Sequence, residues 1–242
     1  MTEILLEVAA VTKRFGGFAA LSDVSLGVRR GERLGIIGPN GSGKTTLINC
    51  ICGSLRNDAG AIRFDGTDVT RLPAYQRTRL GIARSFQIPR PFASMTLAEN
   101  IAVPLEYVTH RRSRHSADVR GEALELLARM GLADKADART NALTQVDLRK
   151  LELARALAAR PRLLILDEVM AGLSSVEVDE MLSILFGVNE LGVTIIMIEH
   201  IMRAIMRFSE RVICFDAGRI IAEAPPERIA KDPEVGRVYL GG

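Results

Sequence analysis

The stretch GPNGSGKTT, residues 38–46, sets glycines at 38, 41 and 43 ahead of a lysine and two threonines. It fits the spacing G-x-x-x-x-G-K-[ST] and lies between an apolar strand and a helix, the context such a loop requires. Glycines at these positions let backbone N–H groups turn inward around phosphate oxygens, and the helix that follows adds the positive end of its dipole. Lys44 can reach terminal phosphates as a point charge, and the Thr45 hydroxyl can face Mg²⁺. Asn40, Gly41, Ser42, Gly43, Lys44, Thr45 and Thr46 are therefore candidate triphosphate contacts. The alternative is a glycine-rich turn with no nucleotide. A second candidate group is LLILDE, residues 163–168, an apolar run ending in two carboxylates. Asp167 can hold the hydration shell of Mg²⁺, and Glu168 can polarise an attacking water as general base. Two acids after a strand are common; beside the glycine loop they point to hydrolysis of a nucleoside triphosphate.

These residues need a scaffold, and the chain supplies alternating β-type and helical runs. LGIIG (34–38) reads as a strand that feeds the loop, and TTLINCIC as a helix that stops at Gly53. AIRFDG (61–66) and IARSFQ (82–87) are further strand candidates. LLILD (163–167) and TIIMIE (194–199) are short and unalternating, as in a parallel sheet covered on both faces. RVICFD and GRIIAE, split around Ala217 and Gly218, read as a late hairpin. The middle differs. Thr96 with Glu99 makes a capping box ahead of a helix through about Val108, GEALELLARM ends at Gly131, and LRKLELARALAARP is closed by Pro161. The expectation is an α/β core, residues 1–88 and 160–242, interrupted by a helical subdomain at 89–159. HRRSRH (110–115) reads as a solvated basic loop, with a headgroup or partner contact as the alternative.

The totals narrow the function. The chain has 242 residues, 48% apolar and 25% charged, enough to bury a real core. A net charge of +3 does not argue for nucleic acid. No apolar run approaches the ~18 residues of a membrane span, and MTEILLEVAA lacks the basic lead of a signal peptide. Cys50, Cys52 and Cys214 fit no zinc spacing and read as buried thiols in a reducing compartment, so the expected setting is cytoplasmic.

GPNGSGKTT, FQ at 86–87, LLILDE and His200 in IMIEH, in this order, resemble the ATP-binding subunits of ABC transporters over nearly the whole chain. GIARSFQIPRPFASMTLAENI (81–101), AGLS (171–174) and DPEVGRVYLGG (232–242) are similar to the branched-chain (hydrophobic) amino-acid importer subgroup. The resemblance implies a P-loop NTPase core with a mostly parallel sheet, an antiparallel β part and the inserted helices. It implies ATP and Mg²⁺ as ligands, and a peripheral place on the cytoplasmic face of a prokaryotic inner membrane. It implies as partners a second ATPase subunit, two membrane permease subunits and, indirectly, a solute-binding protein, with no nucleic acid. Phe15 would stack on adenine, Gln87 would touch Mg²⁺ and the attacking water, and His200 would contact the γ-phosphate. Packing roles for Phe15 and His200 and a solvent-facing Gln87 are the bland alternatives. Ser174 stands where relatives often place an acidic or amide residue, and Met197, Met202 and Met206 read as core filler.

One corner departs from the resemblance. Where relatives carry Ser-Gly-Gly against the γ-phosphate of the opposite subunit, this chain reads LTQVD, with Thr144, Gln145 and Val146 in the contact positions. Val146 makes a positive φ costly, and Asp147 would sit near a highly charged anion unless it points away. Thr144 and Asp147 also read as a plain helix cap. If the corner is weakened, two unequal sites follow, and a heterodimer rather than a homodimer is the expectation. Regulation by nucleotide with little hydrolysis, an importer for urea, amides or aromatic acids, and a soluble ATPase acting on DNA or ribosomes are the rival readings.

Overall fold

The computed structural model describes residues 3–85, 90–109 and 118–240. The chain opens with two 12-residue antiparallel strands, β1 (Ile4–Phe15) and β2 (Phe18–Arg29). With β4 (Ala59–Phe64) and β5 (Thr67–Asp68) they form a four-stranded sheet in the order β2-β1-β4-β5. The other sheet has six strands: β3 (Arg33–Ile37), β6 (Ile82–Arg84), β7 (Leu163–Asp167), β8 (Thr194–Ile198), β9 (Arg211–Asp216) and β10 (Arg219–Ala224), in the order β10-β9-β3-β8-β7-β6. All neighbours pair in parallel except β10, which returns antiparallel on β9 as the late hairpin.

The unalternating strands are buried on both faces, as their composition dictates. Leu163 and Ile165 of β7 join Ile196 and Ile198 of β8 in a cluster against the antiparallel sheet and α1 (Lys44–Cys52). Leu164 and Leu166 join Ile195 and Met197 in a cluster on the opposite face, against α6 (Ser175–Glu190) and α7 (Met202–Phe208). Each such leucine or isoleucine, taken from water, contributes roughly 1.5–3 kcal/mol. Met197 is fully buried, and Met202 and Met206 pack at the edge of this cluster.

Between β6 and β7 the regular elements among the described residues are helices, with one isolated β-bridge, Thr96 to Arg139. The helix α3 (Leu97–Pro104) starts with the Thr96–Glu99 capping box and runs into a π-turn at Leu105–Thr109. It is followed by α4 (Val119–Arg129) and α5 (Gln145–Ala158). The core of this insert is continuous with that of the sheet: Leu97, Ile101, Leu127 and Leu151 lie in one cluster with Leu164, Leu166 and Met170. Short helices complete the chain: α2 (Ala74–Leu80), α8 (Pro226–Ile229) and α9 (Pro233–Leu240).

Several boundaries shift from the sequence expectation. The strand in IARSFQ stops at Arg84, and Phe86 and Gln87 lie outside the described residues, as does HRRSRH. Helix α4 begins at Val119, before GEALELLARM, and α5 begins at Gln145, three residues ahead of LRKL. The thiols of Cys50 and Cys214 are buried and that of Cys52 is half-buried, and burial pushes all three up to about 11.

Candidate nucleotide site

The glycine loop leaves β3 at Gly38 and enters α1 at Lys44. Gly43, the residue before the helix, has φ 107°, and a Cβ there would lie 2.6 Å from the Ala20 carbonyl. Only glycine fits that close approach in a left-handed conformation. No side chain caps α1, whereas α3, α5 and α6 each close their first turn with a capping box. The first turn of α1 therefore has no side-chain acceptor of its own, which suits it to receive a phosphate.

Lys44 is only 6% exposed, and its ammonium donates to the Gly38 carbonyl at 2.7 Å, the Pro39 carbonyl at 2.9 Å and the Ser42 hydroxyl at 3.4 Å. Burial pulls this lysine below its ordinary range, while Glu168 and Asp167 act to raise it. The loop is therefore a cup of inward-facing polar groups around one cation. Phe15, Asn40, Gly41, Ser42, Gly43, Lys44, Thr45 and Thr46 line a single open pocket of about 350 Å³, with Glu168 on its wall. Phe18 and Ala20 line it too, and neither stood out in the sequence. Phe15 is 51% exposed, which removes the core-phenylalanine alternative. A larger hollow, about 910 Å³, lies between α4 and α6 among mainly apolar residues and contains none of these groups.

Asp167 ends β7 and is 4% exposed. Arg84 donates to its carboxylate at 2.5 Å and to the Asn49 side-chain carbonyl at 2.6 Å, so this arginine joins the end of β6 to α1. The next residue, Glu168, has φ 52°, a left-handed conformation that a glutamate adopts at a cost. Its amide is held by the Ile198 carbonyl at 2.9 Å. Its carboxylate lies 2.9 Å from His200 Nε2, with the histidine side chain 42% exposed. His200 is thus an open, paired group rather than a satisfied core histidine.

Beside it, Glu199 is 1% exposed and accepts the Met170 amide at 2.8 Å, tying the end of β8 to the turn after Glu168. Burial pushes this carboxyl up to about 7, from 4.5. A raised folded-state pKa gives stability that is full below about pH 4.5 and lost as pH rises through 7. Melting curves from pH 5 to 8 are expected to show the wild-type chain losing roughly 2–3 kcal/mol relative to Glu199→Gln. Parallel pH profiles for the two chains would remove Glu199 as the titrating group.

The LTQVD corner is a closed helix start. Thr144 Oγ1 accepts the Asp147 amide at 3.2 Å, and the Asp147 carboxylate accepts the Thr144 amide at 3.2 Å. Lys135 donates to the same carboxylate at 2.7 Å. Burial opposes ionisation of Asp147, but Lys135 and Thr144 outweigh it and hold the carboxyl below its ordinary range. Asp147 therefore faces inward and compensated, which answers the charge conflict raised by the sequence. No residue from Thr144 to Val146 has a positive φ, so Val146 is unstrained. Ser174 likewise caps α6, accepting the Glu177 amide.

The donors present suit a magnesium triphosphate. Thr45 offers an exposed hydroxyl and Asp167 a carboxylate, both hard oxygen donors of the kind Mg²⁺ takes beside phosphate oxygens. Among the described residues no cluster of His, Cys, Asp and Glu forms a self-sufficient metal cage.

Known proteins resemble the chain over nearly its whole length. Residues 21–171 match the ABC transporter family. The chain is 34% identical to the high-affinity branched-chain amino acid transport ATP-binding protein BraF of Pseudomonas aeruginosa, covering 100% of this chain and 99% of the relative. It is 36% identical to LivG of Escherichia coli, a protein of the same description, at the same coverage. Among solved structures, the ADP conformation of an ATP-binding cassette of an ABC transporter superposes with TM-score 0.90 at 30% identity, covering 100% of both chains. A dimeric cassette in a post-hydrolysis state, bound to ADP and phosphate, superposes with TM-score 0.83 at 27% identity, covering 92% of this chain and 99% of that one.

Proposed function

The chain belongs to the ABC transporter family and is one of its ATP-hydrolysing subunits, and from that premise we propose that it powers import of branched-chain or other hydrophobic amino acids. The relatives' transport role and their full-length similarity support the solute class. The observation that carries the chemistry is the convergence of Lys44 and Glu168 on one pocket, with Asp167 and His200 adjoining it. ATP seats its adenine against Phe15 and its phosphates in the loop from Asn40 to Thr46. Thr45 and Asp167, with Gln87 as the resemblance implies although it lies outside the described residues, would hold Mg²⁺, which would supply charge stabilisation to the transferred phosphoryl group. Lys44 turns from the loop carbonyls to the terminal phosphates. Glu168 takes the proton of the attacking water, and His200 orients Glu168 and the γ-phosphate.

Two such chains, or this chain and a different one, close over ATP, and closure drives two membrane permease subunits to switch access. No described helix is long and apolar enough to cross a membrane, so membrane association rests on those permeases. The closed cap at Thr144 and Asp147 favours unequal sites. The amides of Thr144 and Asp147 are already satisfied within the chain, leaving less to offer an opposite γ-phosphate through Thr144, Gln145 and Val146. We therefore expect a heterodimer in which the ATP on Lys44 is completed by a partner's intact corner. The same cap favours, as second reading, a nucleotide-gated regulatory subunit, and single-turnover assays on the whole transporter separate the two.

The test is ATP turnover of the chain alone and co-purified with a second ATPase subunit and the permeases, with amino-acid uptake measured in vesicles. Turnover is expected to rise at least about tenfold in the complex. Full activity of the isolated chain as a homodimer ends the unequal-site reading, and uptake of other solutes alone ends the amino-acid assignment.

A further inference from the structure

The parallel ladder between β3 and β9 ends at the pair Ile37–Cys214. Gly38 is the next residue, where the phosphate loop departs from the sheet. Its amide donates not to a strand but to the hydroxyl of Tyr239, 201 residues along the chain, at 2.6 Å. Its carbonyl is one of the two that hold Lys44. The Gly38 residue is fixed at its N–H by the C-terminal helix and at its carbonyl by the loop's own lysine. It has little room: φ is 146°, and a Cβ would lie 2.3 Å from the Phe215 carbonyl.

The helix that carries Tyr239 is itself firmly seated. The Asp232 carboxylate accepts the amides of Glu234 and Val235, closing the first turn of α9. Val235 is 5% exposed and lies in the core cluster, and Tyr239, four residues on and so on the same helical face, packs against that cluster. No local role requires the phenol to reach the loop, since a phenylalanine would fill the same apolar space.

We propose that α9 is a positioning element for nucleotide binding, acting through the Tyr239 hydroxyl on the Gly38 amide. The proposal rests on the reading that this loop binds MgATP. Tyr239 fixes the root of the loop, so that the amides beyond it are already aimed when phosphates arrive, and undocking α9 lowers ATP affinity without altering the hydrolytic groups. Preorganisation of this kind shows in affinity and not in the chemical step.

The experiment compares the full chain with its Tyr239→Phe and Val235→Asp variants by equilibrium MgATP binding, by KM and kcat in the assembled transporter, and by amide exchange at Gly38. Tyr239→Phe is expected to raise Kd and KM about three- to tenfold, leave kcat within twofold, and speed exchange at Gly38. Val235→Asp, which expels the helix from the core, is expected to reproduce the Kd effect. A wild-type Kd for Tyr239→Phe overturns the inference, whether or not Gly38 exchange quickens. Failure of the unmodified chain to bind MgATP is a different result, and overturns the nucleotide reading itself.

Discussion

Glu168→Gln is expected to lower ATP turnover by roughly two to four orders of magnitude while MgATP binding stays within a few-fold of wild type. The reason is local. Glu168 follows the last residue of β7 with φ 52°, its amide is pinned by Ile198, and its carboxylate faces both the pocket and His200. Glutamine keeps the shape and can still hydrogen-bond the imidazole, yet it cannot take a proton from water. Binding and chemistry therefore separate, and the separation is the diagnostic. Stopped-flow phosphate release and equilibrium nucleotide binding on the same preparation measure it. Unimpaired phosphate release would remove Glu168 from the role of general base.

Lys44→Ala is expected to act earlier in the cycle. It weakens MgATP binding roughly 10- to 100-fold, the range for losing a charged hydrogen-bond donor to phosphate, and takes turnover below detection. The ammonium is buried against the carbonyls of Gly38 and Pro39, so alanine leaves those carbonyls without their donor and the phosphates without the loop's cation. A titration of the variant with MgATP that superposes on that of the wild-type chain would show that the loop is not a phosphate cradle.

What the sequence made legible was what local rules control. The glycine loop, the strand-then-acids of Asp167 and Glu168, the capping boxes at Thr96 and Thr144 and the late hairpin depend on neighbours within a few residues. The first two strands do not announce themselves in that way. β1 and β2 are bulged, with register shifts between Val8 and Val11 and left-handed residues at Ala10 and Asp23, so their alternation slips and a period of two fails. Phe18 could have been suspected, as a second aromatic three residues beyond Phe15 in a glycine turn. Arg84, Glu199 and Tyr239 could not, because their partners lie 83, 29 and 201 residues away. A sequence shows an arginine after an alanine or a glutamate at a strand end; only the fold shows what each one holds. Asp147 is the converse case. Read as a charge it threatened the corner, and the fold turns it inward onto Lys135.

The shared apolar cluster has a mechanical meaning. Leu97, Ile101 and Leu151 of the insert lie in one buried apolar cluster with Leu164 and Leu166, and close-packed interiors transmit strain. The strand in that cluster carries Asp167 and Glu168 at its tip, so a load placed on the helices bears on the two acids through packed side chains, like a grip on the handles of pliers felt at the jaws.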